Sequence, residues 1–315
     1  MSAPIYADPL MDGAADPTVI HRKGTNEWWM FYTARRTTHP APDFAWLHGC
    51  AIGIAVSSDN GVNWSYRGTI AGLDAPGDTG LNTHWAPEVI WAEGEYHMYL
   101  TYMPGAPSRS DGVARHIVHF TSRDLIEWKR IGPLRPGSTA AIDASVAKCP
   151  DGLYRLWYKD EAGGSSTWAA TSANLYDWTV EGRVIAGRPD GNPHEGPNVF
   201  VLDGWHWLIV DEWHGLAVYR STDARDWQRQ GVILAEPGSD PDDRRFARHA
   251  DIVPQGDWAA IFYFTHPHWA ETETPAPLTI EERVTRIHVA RLWVEAGVLR
   301  CERDVAGVRL DAAFG

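Results

Sequence analysis

Short apolar runs alternate with turn-forming residues along the chain, and no stretch keeps the 3.6-residue apolar spacing of a long helix. In the run near residue 30, Trp28, Met30 and Tyr32 fall on one face of a strand. The one helical pattern is LTIEERV at 278–284, where we expect a single helical turn inside a loop. Pairs of strands joined by a turn such as EGE, PDG or LDG occur five times, at 18–34, 88–103, 145–160, 198–213 and 251–267.

A second repeat follows the first four of these strand pairs. Each copy has Ser or Thr, then Asp or Asn, and closes on a tryptophan followed by a polar and then an apolar stretch. This pattern indicates a strand, a tight turn and a strand. The closing tryptophans are 64, 50 and 49 residues apart: Trp64, Trp128, Trp178 and Trp227. The fifth pair lacks this turn but is followed by two further strand patterns, RVTRIHVARLWVEA and GVLRCERD.

Five units of about four strands each therefore fill the chain, at a repeat length typical of β-propellers. We predict an all-β fold, a single five-bladed β-propeller whose four-stranded antiparallel blades surround a central channel. The blades span approximately 14–70, 84–134, 141–187, 194–236 and 248–310. A β-sandwich is the alternative, but it does not account for five copies of one strand-turn-strand pattern at this spacing.

The composition is unusual in its 17 tryptophans among 315 residues. The repeated ones are expected to pack between blades, whereas Trp46, Trp85, Trp213 and Trp269 do not repeat and are candidates for stacking against a sugar. A net charge of −13 without a basic stripe disfavours nucleic acid as a partner. No apolar run is long enough to predict a membrane span, and the first residues lack a secretory signal. We expect a cytoplasmic chain as it stands, and a periplasmic or secreted one if its N-terminus has been shortened.

Acidic residues stand at the start of the first strand of each predicted blade. The sequences are ADPTV with Asp16, HWAPEV with Glu88, AIDASV with Asp143, HEGPNV with Glu195 and RHADIV with Asp251. Because the first strand of a blade runs nearest the axis, these residues should converge at one mouth of the channel. Hydrolysis of a glycosidic bond needs one protonated and one ionised carboxyl group, and a third carboxylate nearby raises the pKa of the acid. Asp16, Asp143 and Glu195 are the candidates for these roles.

The series DPTV, HWAPEV, IDASV and HEGP, in this order on five repeats, resembles glycoside hydrolase family 43 over nearly the whole chain. The resemblance implies a five-bladed propeller that hydrolyses arabinofuranosides, xylosides or galactosides with inversion. It assigns Asp16 as the general base and Glu195 as the general acid. Asp143 is assigned as the residue that tunes the pKa of the acid and orients the substrate. The two reacting carboxyl groups should then be about 6.5–9.5 Å apart. The alanine after Asp143 and the glutamate in WAPE differ from the residues that many members carry. The sugar that the protein recognises therefore stays undecided.

Further residues near the predicted first strands and strand ends are candidates for contacting substrate: His84, Trp85, Glu88, His194, Trp213, Arg220 and His249. Arg248 is a second candidate cleft arginine because it adjoins His249. By the same resemblance, His249 stands where some family members place a histidine that helps to hold a cation or waters. The sequence has no compact metal-binding pattern, so we expect that no cofactor is required. A structural cation near the channel axis is the one metal that the sequence leaves undecided.

Three loops are longer than a hairpin needs, at 38–49, 103–116 and 265–283. We expect them to shape the cleft, where a closed end would favour exo action on an oligosaccharide and an open groove would favour endo action. The sequence leaves the oligomeric state undecided. Two other functions stay open, a glycoside phosphorylase on the same fold and a non-catalytic carbohydrate-binding propeller.

Overall fold

The computed structural model describes residues 4–41, 43–134, 138–162, 164–189, 191, 193–269, 278–305 and 307–314. Their strands form five four-stranded antiparallel sheets, each paired in chain order. The first strand of each sheet lies beside the first strands of its two neighbours, which closes the sheets into a ring. The predicted five-bladed β-propeller is therefore confirmed. No helix among the described residues is long and apolar enough to cross a membrane.

The strand bounds follow the repeats along the sequence. The first two blades comprise β1 (Ala14–His21), β2 (Trp28–Ala34), β3 (Ala51–Ser57), β4 (Ser65–Thr69), β5 (Thr83–Ala92), β6 (Glu95–Met103), β7 (His116–Ser122) and β8 (Lys129–Pro133). The third and fourth blades comprise β9 (Ala141–Lys148), β10 (Tyr154–Asp160), β11 (Ser166–Ser172), β12 (Thr179–Ile185), β13 (Glu195–Leu202), β14 (Trp205–Asp211), β15 (Leu216–Ser221) and β16 (Gln228–Ile233). The fifth blade comprises β17 (Arg248–Pro254), β18 (Trp258–Thr265), β19 (Arg286–Glu295) and β20 (Val298–Glu302).

The repeated tryptophans pack between blades, as predicted. Each closes the turn between the third and fourth strands of its blade and meets an aromatic ring on the second strand of the preceding blade. The ring pairs, with centroid separations of 5.7 to 6.2 Å, are Trp64 with Phe262, Trp128 with Phe31, Trp178 with Tyr99, and Trp227 with Trp157. Their near-perpendicular planes are a favourable edge-to-face geometry, so these four residues stabilise the blade junctions.

A ring of polar side chains joins the first strands just inside the channel, and we call it the interblade ring: Thr18, Glu88, Ser145, Asn198 and Asp251. Four of its members accept a hydrogen bond from a valine N–H of the next blade, at 2.7 to 3.3 Å. At the remaining junction the Asn198 amide donates to Asp251 at 3.1 Å. These bonds satisfy backbone donors that would otherwise be buried without partners, and they fix the first strands relative to one another.

The predicted helical turn is confirmed as α1 (Ile280–Arg283), which begins with a capping box. The Thr279 hydroxyl accepts the N–H of Glu282, and the Glu282 carboxylate accepts the N–H of Thr279 at 2.8 Å. Arg283, at the other end, donates to the carbonyl oxygen of His39 at 2.8 Å and lies 5.7 Å from the Trp46 ring. The long loops of the first and fifth blades are thus tied to each other. The other helical residues described are 3-10 turns at Ala45–Leu47, Pro241–Asp243 and Ala312–Phe314.

Candidate active site

A β-bulge interrupts the first strand of every blade immediately before the interblade ring, where pairing with the second strand shifts register. In four blades the first bulged residue is left-handed: Asp16 (φ 49°), Ala86 (φ 42°), Asp143 (φ 55°) and Gly196 (φ 57°). A residue other than glycine holds this conformation at a cost of about 1–3 kcal/mol. Bulges redirect side chains, and such strain concentrates at functional sites. The bulges of the first and third blades directly contain two of the predicted acids, Asp16 and Asp143, and Glu195 stands immediately before the bulge of the fourth.

Asp16 is buried and is held from two sides. The Arg35 guanidinium donates to both of its oxygens, at 3.1 and 3.3 Å, and His249 Nδ1 lies 3.7 Å from Oδ1. Arg35 stacks over the Phe264 ring at 4.6 Å and lies 3.4 Å from Nε2 of His266. Burial, reinforced by nearby arginine charges, lowers the pKa of His266 far below its usual value, so its neutral ring can accept from Arg35. The Asp16 carboxylate is therefore fixed in one orientation.

Asp143 lies within electrostatic range of both other acids. Its Oδ2 accepts the N–H of Gly196 at 3.2 Å, which joins the third blade to the fourth. Burial raises the pKa of Asp143 to about 7, against the positive influence of His249 and Lys159 and with support from the charges of the other two acids. The three carboxyl groups predicted from three separate blades are therefore brought together.

Gly196 shows why glycine follows the glutamate of the fourth blade. A Cβ at this position would lie 2.8 Å from the His249 ring, and its φ of 57° is a conformation that glycine adopts without strain. The absence of a side chain lets the His249 ring rest on the backbone next to Glu195. His249, which also approaches Asp16, therefore bridges the fifth blade to the acids of the first and fourth.

Glu195 is the acid with the most accessible side chain, 22% exposed against 8% for Asp16. Lys159 Nζ donates to its Oε2 at 2.7 Å, and Trp213 Nε1 donates to its Oε1 at 2.6 Å. Burial alone would raise the pKa of Glu195, but the charge and hydrogen bond of Lys159 outweigh it and, with the Trp213 bond, lower the pKa to about 2. We expected neighbouring carboxylates to raise this pKa. The pKa of Glu195 is lowered instead, because the Lys159 ammonium is in direct contact with its carboxylate, whereas burial raises the pKa of Asp143.

An aromatic wall stands beside Glu195 and consists of Trp213 and Trp269, with the Arg248 guanidinium between them. The guanidinium carbon is 4.4 Å from the Trp213 ring centroid and 4.6 Å from that of Trp269. Trp213 is left-handed (φ 59°) and its N–H is held by Asp211 at 2.7 Å. Aromatic faces next to a carboxyl group suit the C–H faces of a sugar. Two of the four tryptophans predicted to stack against a sugar thus lie together with the candidate Arg248 beside Glu195.

A family model for a probable glycosyl hydrolase domain, related to glycosyl hydrolase family 43, matches residues 3–255. The chain belongs to this family. The match extends from the N-terminal region into the fifth blade and includes all three acids.

Family-43 enzymes of known structure share the fold of this family-43-related chain. A thermostable family-43 glycoside hydrolase gives a TM-score of 0.72 at 17% identity, covering 97% of this chain and 99% of that one. A family-43 β-xylosidase/α-arabinofuranosidase from a compost microbial metagenome, in complex with xylotriose, gives 0.67 at 15% identity, covering 96% and 98%. Sucrose-6-phosphate hydrolase of Zymomonas mobilis is 26% identical over 215 residues, or 55% of this chain. The chain spans only 41% of the length of that curated relative.

The prediction that Arg220 reaches the cleft of this family-43-related protein is wrong. Its guanidinium donates to the carbonyl oxygen of Gly297 at 2.5 Å, in the turn between β19 and β20, and stacks 4.0 Å from the Trp205 ring. Trp205 begins β14, whereas Glu195 pairs with Asp211 at the other end of that strand. Arg220 therefore lies at the end of the blade away from the acids, where it joins the fourth blade to the fifth.

Three other predicted substrate residues have scaffold contacts. Glu88 belongs to the interblade ring, where burial and the charge of a ring neighbour raise its pKa to about 8. His84 is buried, with Nδ1 3.1 Å from the carbonyl oxygen of Cys50. His194 is 1% exposed, its Nε2 lies 2.8 Å from the Thr167 hydroxyl, and burial lowers its pKa to about 4. Each of these side chains therefore has at least a scaffold role, and its contact with substrate stays a prediction.

Trp85 precedes the β5 bulge and remains half-buried. Its Nε1 donates to the carbonyl oxygen of Leu47 at 2.6 Å, and its ring lies 5.3 Å from that of His48. This contact anchors the long loop of the first blade to the start of the second. Trp85 therefore has at least an anchoring role, and its substrate contact stays a prediction.

Sequence reasoning missed Arg35 and Lys159, the cations that hold Asp16 and Glu195. Both stand at the end of the second strand of a blade, where the hairpin returns to the bulge. Lys159 pairs with Ile142, next to Asp143, and the N–H of Arg35 bonds to the residue before β1. The signal was available in the hairpin register, because residues that end a second strand lie opposite those that start the first.

Proposed function

We propose that the protein is an inverting glycoside hydrolase, exo-acting on arabinofuranosyl, xylosyl or galactosyl-type oligosaccharides. The observation that carries this proposal is the convergence of Asp16, Asp143 and Glu195, from three blades, beside the aromatic wall. Family membership supports chemistry at a glycosidic bond. The β-xylosidase/α-arabinofuranosidase that shares the fold motivates the choice of sugars.

The roles follow from the surroundings of each acid. Glu195, the most accessible, donates a proton to the leaving oxygen as the bond to the anomeric carbon breaks. Asp16, paired with Arg35, takes a proton from a water whose oxygen bonds to the opposite face of that carbon. Asp143, buried beside both, holds the backbone of Gly196 and thereby positions Glu195.

Contacts between the long loops support exo action. Arg283 from the fifth blade reaches His39 in the loop of the first, and Trp46 in that loop lies 6.3 Å from His266. These contacts join the two loops on the side of the site next to Asp16, where His266 meets Arg35, and we infer that they close that end of the cleft. A closed end leaves space for a terminal sugar and limits the passage of a longer chain.

Hydrolysis is favoured over phosphorolysis by the charge balance of the site. The cations Arg35 and Lys159 are each in contact with a carboxylate, and the charge of Arg248 acts on Glu195 and Asp211. A site for inorganic phosphate needs positive charge that is not already neutralised. The proposed chemistry is complete with two carboxyl groups and water. Within the described ranges, no three His, Cys, Asp or Glu side chains are grouped to hold a metal ion.

A screen of aryl and oligomeric arabinofuranosides, xylosides, galactosides and galactofuranosides, each with and without inorganic phosphate, tests the proposal. We expect turnover of at least one class at the same rate with and without phosphate, releasing the free sugar. Release of a sugar phosphate would instead establish a phosphorylase. Binding without turnover across the whole panel would establish a carbohydrate-binding propeller.

A further inference from the structure

Four buried or half-buried charged side chains form a line that crosses three blades and ends at Glu195. We call this line the acid relay: Arg115, Glu161, Lys159 and Glu195. Lys159 is 6% exposed, and its ammonium donates to Glu195 at 2.7 Å and to Glu161 at 3.0 Å. Glu161 accepts the Arg115 side chain through Nε at 2.7 Å and through a second, shorter contact from Nη2. One ammonium therefore serves two carboxylates, and only one of these reaches the aromatic wall.

Arg115 connects the relay to the long loop of the second blade. It stands immediately before β7, and its Nη1 donates to the carbonyl oxygens of Ser110 at 3.1 Å and Val113 at 2.9 Å. The relay thus runs from this loop, through the end of the third blade's second strand, to the start of the fourth blade. Its members come from separate elements, so the fold is needed to assemble it.

The sharing of Lys159 bears directly on proton donation. The proposed reaction needs Glu195 protonated, yet its contact with an ammonium favours the carboxylate. If Glu161 were absent, protonation of Glu195 would leave the buried Lys159 ammonium without a carboxylate in contact, which is unfavourable. Glu161 removes that penalty, because Lys159 keeps an anionic partner when Glu195 takes up a proton. The lysine consequently orients the Glu195 carboxyl in both of its protonation states.

We propose that Lys159 is a positioning residue that holds the Glu195 carboxyl for proton donation, and that Glu161 makes Glu195 able to carry its proton. The proposal rests on the proposed glycosidase function. The charged groups that face Glu195 are Lys159, Asp143, Arg248 and Asp211, and those that face Lys159 are Glu161, Glu195, Asp143 and His194. Of these neighbours, Glu161 touches the lysine without touching Glu195, so it can be altered separately.

The first test follows the titration of Glu195 by carbon-13 NMR of labelled glutamate, with Glu195→Gln identifying the signal. Lys159→Met should raise the midpoint by about 1–3 pH units, because an adjacent cation is lost, and Lys159→Arg should stay near wild type. Lys148→Met removes an exposed lysine of the same blade that pairs with Glu93 at 3.6 Å, and it should change nothing. An unmoved midpoint in Lys159→Met would overturn the proposal. This readout does not depend on any activity.

The second test compares two leaving groups in Glu161→Gln, which keeps Lys159 in place. We expect kcat/KM to fall about tenfold for an unactivated glycoside, equivalent to a pKa of Glu195 lowered by about one. A dinitrophenyl glycoside, whose departure needs no proton, should change by less than about twofold. Equal loss on both substrates would show a structural role and overturn the relay. If the wild-type protein is inactive on every glycoside, the proposed function is refuted instead. The NMR titration would still show whether Lys159 controls the protonation of Glu195.

Discussion

Glu195→Gln is expected to lower kcat for an unactivated glycoside by about 10³–10⁴-fold. This is the upper part of the range of rate enhancements that a single positioned general acid provides. Glutamine preserves an oxygen for the Trp213 N–H, and Lys159 keeps Glu161 as its anionic partner, so the site should stay assembled. With a dinitrophenyl leaving group the loss should be under about tenfold, because that group departs without protonation. The measurement is steady-state kinetics on both substrates, with circular dichroism as the check on folding.

Azide provides the control for this variant. In an inverting enzyme no glycosyl-enzyme intermediate exists, so azide should leave the residual rate of Glu195→Gln unchanged. A faster reaction that yields a glycosyl azide of retained configuration would reveal a covalent intermediate and refute the inverting assignment. Wild-type turnover of the unactivated substrate would show that the proton comes from another group.

Asp16→Asn is the second variant with a large expected effect, a loss of about 10²–10⁴-fold in kcat. Asparagine keeps an oxygen for Arg35, but it cannot take the proton of the attacking water. In contrast to Glu195→Gln, the loss should be equally large for activated and unactivated leaving groups, because both reactions need the water. The two variants together separate the base from the acid through leaving-group dependence alone.

Asp12→Asn is the matched control for this test. Asp12 is a left-handed aspartate four residues earlier (φ 59°), and it pairs with Arg286 near the surface. We expect it to retain wild-type kinetics on both substrates. A loss confined to the unactivated substrate in Asp16→Asn would assign Asp16 as an acid and contradict its proposed role.

The propeller could be predicted from sequence because each blade repeats the same local chemistry. The turn that closes on Trp128 illustrates this: the Ser122 hydroxyl bonds to Asp124 at 3.1 Å and accepts the N–H of Leu125 at 3.0 Å. Such local bonds depend only on residues close in the chain, so their spacing is visible in the sequence. Once the repeats indicate a propeller, its general geometry places the first strand of each blade next to the axis.

The positions of the three acids could be predicted for the same reason, but their electrostatics could not. Lys159 is 36 residues from Glu195 and belongs to another blade, so no local pattern links them. The mistaken assignment of Arg220 has a similar origin. Its position along β15 was known only approximately, and the two ends of a strand face opposite mouths of the propeller.

The stereochemistry of the first product tests the central claim most directly. Wild-type enzyme is mixed with a glycoside that the screen finds active, and proton NMR records the anomeric signals before mutarotation. The account predicts that the first free sugar has the configuration opposite to that of the substrate, because water aided by Asp16 attacks the face opposite the bond that Glu195 protonates. A first product with the substrate's own configuration would contradict it.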